Sequence, residues 1–267
     1  MTKKITLANS KGGIGKTTIS SMLAYFLSEK GYKTLLVDLD PQANATTMIE
    51  NTFNEFKEKD YDTLFEGLKN KDLRMSISRI TDKFDFIPSS QNTTDFNELL
   101  NENNKYTYLS NLIKNIEDEY DFIFYDVPPT IFTDFINNSL VASDYFIILT
   151  ETSGFSFKGI IDMYETGRKM SEVNSRLDFL GILINMREDD KEVLAELDQE
   201  YNMDNKDMFF STYIPKRKRI VKYANKGMFS RNNKSAIKYD RWDKEILSTF
   251  EKLSDELLYK ISESDEK

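Results

Sequence analysis

The stretch from Ser10 to Thr18, S-K-G-G-I-G-K-T-T, constrains the fold of this chain more than any other segment. A phosphate-binding loop of the common form G-x-x-x-x-G-K-[ST] works only between a strand and a helix, where its glycines let backbone N–H groups curl around phosphate oxygens and the helix N-terminus adds partial positive charge. Gly15, Lys16 and Thr17 match that form, Ser10 stands where its first glycine would be, and a second lysine, Lys11, precedes Gly12, Gly13 and Ile14. The result is the deviant pattern K-G-G-x-G-K-[ST], closed by Thr18. Lys16 is expected to reach the β- and γ-phosphates as a point charge, and the Thr17 hydroxyl to ligate Mg²⁺. Lys11 lies on the far side of the glycines from the helix, poorly placed for its own loop's phosphates; it could serve those of a neighbouring subunit. The flanks supply the required context. Ile5 to Ala8 reads as a short apolar strand, and Thr18 to Glu29 carries Ile19, Met22, Leu23, Phe26 and Leu27 at helical spacing.

Strands then recur with helices between them. Lys33 to Val37 reads as a buried strand closing on Asp38-Leu39-Asp40, Asp85 to Pro88 as a third, and Tyr120 to Asp126 as a fourth that ends on a carboxylate. Further strands are expected at 145–149, 179–184 and 208–210, with helices at 61–68, 94–118, 155–173 and 188–203. This alternation implies right-handed crossovers and a doubly wound, mostly parallel α/β sheet with helices on both faces. Acids at strand C-termini face the ligand crevice of such a sheet, which singles out Asp38, Asp40 and Asp126. No glutamate follows Asp126, so hydrolysis is expected to be slow unless another acid substitutes. The tail from Asp240 to Ser262, with Trp242, Ile246, Phe250, Leu253, Leu257 and Ile261, reads as an amphipathic helix packed on the core of one domain spanning 1–267.

Composition removes several chemistries. With no cysteine and no histidine, disulfides, thiolate metal sites and the usual general base are excluded, leaving carboxylates, lysines and Mg²⁺. An apolar run of about 18 residues and a cleavable leader are both lacking, so neither a membrane span nor secretion is expected, and the chain reads as cytoplasmic. The net charge of −9 is unevenly spread: Ser211 to Arg241 holds ten Lys and Arg against one acid, a net +9, which leaves −18 on the rest. A solvated lysine-rich face and a nucleic-acid contact both account for that segment.

Together, K-G-G-I-G-K-T-T, L-L-V-D-L-D-P-Q-A-N-A-T from Leu35 to Thr46, and F-Y-D-V-P-P-T from Phe124 to Thr130 resemble the ParA family of deviant Walker partition ATPases, in its small, single-domain form. The late stretch S-T-Y-I-P-K-R-K-R-I-V-K-Y-A extends the resemblance. It implies that Lys11 crosses to a partner's phosphates, sandwiching two ATP molecules in a homodimer. It further implies that Asp40 orients the attacking water, that Asp38 and Asp126 support Mg²⁺ through its waters, and that Asn185 and Pro215 contact or cap adenine. From the same source come non-specific binding of double-stranded DNA by the dimer, through Lys216, Arg217, Lys218, Arg219 and Lys222, nucleoid association, and hydrolysis triggered by a centromere-bound ParB-type partner. The sequence departs from the family at Thr150-Glu151-Thr152-Ser153-Gly154, which suggests a specialised partner-facing surface. No DNA-reading helix-turn-helix is expected ahead of Lys3, nor operator autoregulation by this chain. Alternatives remain: a MinD-like positioning ATPase, which needs a basic C-terminal amphipathic helix; a dethiobiotin synthetase-like metabolic enzyme, which needs neither Lys11 nor a basic patch; and an inactive nucleotide-binding module. The cysteine ligands of a nitrogenase iron protein are missing.

Overall fold

Every second residue along Lys3–Ala8 (β1) and Thr34–Asp38 (β2) faces the same side of the sheet, so Ile5, Leu7 and Leu36 pack under one layer of helices while Ala8, Leu35 and Val37 pack under the other. All are fully buried. This two-sided burial is what a mostly parallel sheet requires, and each completely buried Leu, Ile or Phe contributes about 1.5–3 kcal/mol. The computed structural model describes residues 1–9, 11–53, 56, 62–129, 134–152, 157–186, 208–228 and 238–266.

Seven strands lie in the order β3-β4-β2-β5-β1-β6-β7, the others being Ser78–Arg79 (β3), Phe84–Ile87 (β4), Phe122–Asp126 (β5), Tyr145–Glu151 (β6) and Asp178–Asn185 (β7). All pairings are parallel except β3 with β4, a two-residue antiparallel edge that the sequence did not announce. The expected doubly wound, mostly parallel sheet is therefore present. Over one face lie Lys16–Glu29 (α1), Asn44–Thr52 (α2), Lys218–Lys226 (α7) and Arg241–Asp265 (α8); over the other lie Leu64–Asn70 (α3), Tyr108–Ile113 (α4), Asp134–Ala142 (α5) and Phe157–Ser171 (α6). Among the described residues no helix is long and apolar enough to cross a membrane.

Local chemistry explains where expectation and structure part. The segment expected as mostly helical from 94 to 118 is broken into a 3₁₀ stretch at Gln91–Leu99, α4, and a 3₁₀ turn at Glu117–Glu119. Asparagines are responsible: Asn104 Oδ1 accepts from Asn101 N–H at 2.6 Å and Asn101 Oδ1 from Asn103 N–H at 3.0 Å. Such side-chain bonds offer the backbone an alternative to helix. The strand expected at 208–210 is reduced to a single bridge between Phe209 and Ile182. The helix expected at 188–203 and the start of the one at 61–68 lie outside the described residues. The tail helix extends to Asp265, started by an Asp240 side chain that accepts from Trp242 N–H.

One contact ties distant segments. The Thr52 hydroxyl, at the end of α2, accepts from Met228 N–H at 2.8 Å. Beside it Gly227 sits at φ +85°, where an added Cβ would fall 2.4 Å from Asn51 O. Only glycine lets the chain after α7 lie this close to α2.

Candidate active site

Because β1 runs between β5 and β6, the loop that follows it emerges at the sheet's C-terminal edge, flanked by the ends of its neighbours. Asn9, just past β1, and Asn185, two strands away, both send side chains to this loop. Asn9 Oδ1 accepts from Lys11 N–H at 2.8 Å and starts the turn. Asn185, at the end of β7, donates from Nδ2 to Ile14 O at 2.6 Å. Gly13 and Gly15 take φ of +76° and +88°, and a Cβ on Gly15 would lie 2.5 Å from Asn185 Nδ2, so this tight junction excludes any larger residue. An added Cβ on Gly12 would touch Pro129 at 3.5 Å.

Lys16 folds back under this loop. Its Nζ donates to Asn9 O and Lys11 O, both at 3.2 Å, leaving a buried ammonium at the centre of the turn. Burial pushes its pKa down, while the charges of Asp126 and Asp40 oppose that shift.

The carboxylates are set by register. Asp38 of β2 pairs directly with Asp126 of β5, placing two acids side by side in the sheet. Asp38 is saturated: one oxygen accepts from Asp40 N–H at 3.0 Å, the other from Thr46 N–H and the Thr46 hydroxyl at 2.9 and 2.8 Å. It thereby fastens the first turn of α2. Burial, reinforced by the neighbouring Asp126, drives its pKa well above the ordinary carboxylate value against these hydrogen bonds. Asp126 is pushed up to about 7, chiefly by burial; the Thr17 hydroxyl opposes this, Asp40 adds to it, and Lys16 and Ser20 also oppose it. Ser20 Oγ donates to Asp126 Oδ1 at 3.2 Å, whereas Oδ2 is buried without a hydrogen-bonding partner. Asp40 Oδ1 accepts from Gln42 N–H at 2.9 Å. Among the described residues no group of three acidic side chains could hold a metal ion by itself. The donor set nevertheless suits Mg²⁺, since an orphaned Asp126 oxygen beside the Thr17 hydroxyl can anchor a hydrated ion whose other ligands are water and phosphate.

A cleft of about 310 Å³ opens above these groups. Gly13, Ile14, Gly15, Lys16, Thr17, Thr18, Asp40 and Asn185 all line it. Lys11 does not; its ammonium is paired instead with the Glu151 carboxylate. Nor does Pro215, which sits with Tyr213, Arg217 and Glu245 in a separate groove of about 320 Å³. The far wall is the inner face of α7, namely Ile220, Val221, Ala224 and Asn225, a face that sequence reading missed. Its signal was the apolar stripe inside the basic run, masked there by the surrounding lysines.

The basic segment divides in two. Arg219 is buried in α7, where it makes a bidentate pair with Asp243 at 2.7 Å and also donates to Lys238 O at 2.6 Å. The Tyr223 hydroxyl joins the same carboxylate. Burial of Asp243 favours its neutral form, but the hydrogen bonds from Arg219 and Tyr223 prevail and hold its pKa below the usual value. Arg217 pairs with Glu245 at 2.7 Å. Lys216, Lys218 and Lys222 are exposed.

Comparison with known proteins agrees with this geometry. The AAA domain family model matches residues 2–179. An uncharacterized protein of Methanocaldococcus jannaschii is 39% identical over 187 residues, 68% of this chain and 72% of its own. The chromosome-partitioning ATPase Soj of Treponema pallidum is 27% identical over 93% of this chain and 98% of its own. A Borrelia burgdorferi protein described as a putative plasmid partition protein, solved with AMPPNP bound, superposes with a TM-score of 0.74 at 26% identity, covering 94% of this chain and 99% of that one.

Proposed function

We propose, from the premise that the chain belongs to the ParA/MinD family of P-loop ATPases, that it is a partition ATPase whose two protomers close around two ATP molecules, bind DNA without sequence preference, and separate when a centromere-bound ParB-type partner stimulates hydrolysis. The AMPPNP-bound Borrelia structure supports ATP as the ligand of the cleft. The observation that carries the rest is the position of Lys11. Its ammonium lies outside the cleft formed by its own loop, while Lys16 alone occupies the interior. A cation so placed contributes little in cis and is positioned to neutralise phosphates presented by a second copy.

Within one protomer the roles follow from contacts. The backbone from Gly12 to Thr18 and the Lys16 ammonium hold the triphosphate. Thr17 and Asp126 would hold Mg²⁺, which would supply positive charge to offset that of the triphosphate. Asp38 fixes the strand end and α2, and so places Asp40, whose carboxylate orients the attacking water in place of the missing glutamate. Asn185 and the inner face of α7 form the nucleoside side of the cleft. Lys216, Lys218 and Lys222 supply the phosphate contacts to DNA, and pairing two protomers doubles them, steepening salt dependence and raising affinity. In this reading the protein is a single cytoplasmic domain that associates with the nucleoid.

Two measurements test it. Lys11→Ala is expected to leave ATP binding by the monomer nearly unchanged and to abolish ATP-dependent dimerisation; normal dimers of that variant in light scattering would refute the sandwich. DNA titrations at several salt concentrations should show tight binding with ATP and weak binding with ADP or no nucleotide, and nucleotide-independent binding would refute the cycle.

A further inference from the structure

Lys11 is held by its own chain. Its Nζ pairs with Oε1 of Glu151, the last residue of β6. The acid is anchored: Glu151 lies in register with Asn185 of β7, which itself holds Ile14 of the loop, and only 13% of its side chain is exposed. The lysine is the more exposed member, with 49% of its side chain open to solvent. Glu151 also belongs to the stretch where the sequence departs from the pattern it otherwise resembles.

We infer that Glu151 is a positioning residue that parks Lys11 in cis and thereby sets how readily the ATP-bound chain dimerises. This rests on the reading that Lys11 serves the partner's phosphates. The ammonium cannot leave for those phosphates while paired with Glu151, so each protomer must break one ion pair before the dimer closes. A half-exposed pair of this kind shifts an equilibrium by up to about fivefold. Because both protomers release a lysine, the dimerisation constant is held back by up to about 25-fold. Glu151 is thus a brake whose strength is matched against two triphosphates, and a lone ATP-bound chain stays monomeric until its concentration is high enough to overcome it.

The test compares full-length wild type, Glu151→Gln, Glu151→Ala, Lys11→Ala and the Lys11→Ala/Glu151→Gln double variant. Dimerisation is followed by sedimentation velocity in excess ATP and Mg²⁺, and monomer affinity by titration with a fluorescent ATP analogue. Both Glu151 variants should dimerise at a concentration about 2- to 25-fold lower than wild type, with ATP affinity of the monomer within about twofold. Removing Glu151 should bring no gain once Lys11 is gone, a dependence that a merely structural role would not produce. Dimerisation of the Glu151 variants that is unchanged or weaker than wild type overturns the assignment. Should Lys11→Ala itself dimerise like wild type, the reading on which the brake rests fails first, and the two failures are told apart by that single variant.

Discussion

The cleft around Lys16 and the joint between α7 and α8 handle buried charge in opposite ways. In the cleft, carboxylates crowd together: Asp38 and Asp126 are both pushed toward their neutral forms, and an Asp126 oxygen lacks a partner. At the joint, Arg219 and Asp243 pair with one another, Lys238 O and the Tyr223 hydroxyl complete the set, and the acid is held in its charged form. Unbalanced charge left in place marks a site awaiting a ligand; balanced charge marks a fastening. Position in a basic run therefore does not decide what a cation is for, and its buried partner does.

Variants on either side sharpen that contrast. Arg219→Ala should have the largest effect, a loss of about 3–5 kcal/mol of folding stability, because it strands the buried Asp243 carboxylate; a urea midpoint close to wild type would return Arg219 to the DNA-binding set. Lys16→Ala should lower ATP affinity roughly 10- to 150-fold through loss of charge-assisted hydrogen bonds, yet change stability far less than Arg219→Ala. Equal losses of stability in both variants would erase the distinction between ligand site and fastening.

A smaller effect is expected at the surface. Replacing Lys218 and Lys222 by glutamine should reduce the slope of log affinity for DNA against log salt by about 0.9 per lost phosphate contact, with folding unaffected; an unaltered slope would move the DNA face elsewhere. The smallest effect concerns pH. Because the folded pKa of Asp243 lies below its ordinary 3.8, its stabilisation is complete above that value and is lost as pH falls through the lower, folded value. The stability gap between wild type and Asp243→Asn should accordingly be full at neutral pH and shrink in acid; a gap independent of pH would contradict the pairing.

Much of the cleft was legible because its determinants are local. The glycine pattern, the lysine after it and the apolar strands ending in Asp38 and Asp126 each lie within a few residues, and a period of two or 3.6 reveals their setting. The sorting of Arg219 from Lys218 and Lys222 depends on an acid 24 positions away on another helix, which no local pattern connects. The α7 face in the cleft was hidden for a related reason: Ile220, Val221 and Ala224 are interleaved with lysines that dominate any charge count. Asn101 and Asn104 fall within the stretch expected as helix, and their side chains redirect the backbone there.

The seat of Gly227 against the end of α2 has a mechanical consequence. Asp38 grips the first turn of α2, and Thr52 at its other end grips the chain leaving α7. A rod pinned at both tips cannot swing alone, so any tilt that begins at the paired acids must drag along the lysine-bearing helix at the opposite tip.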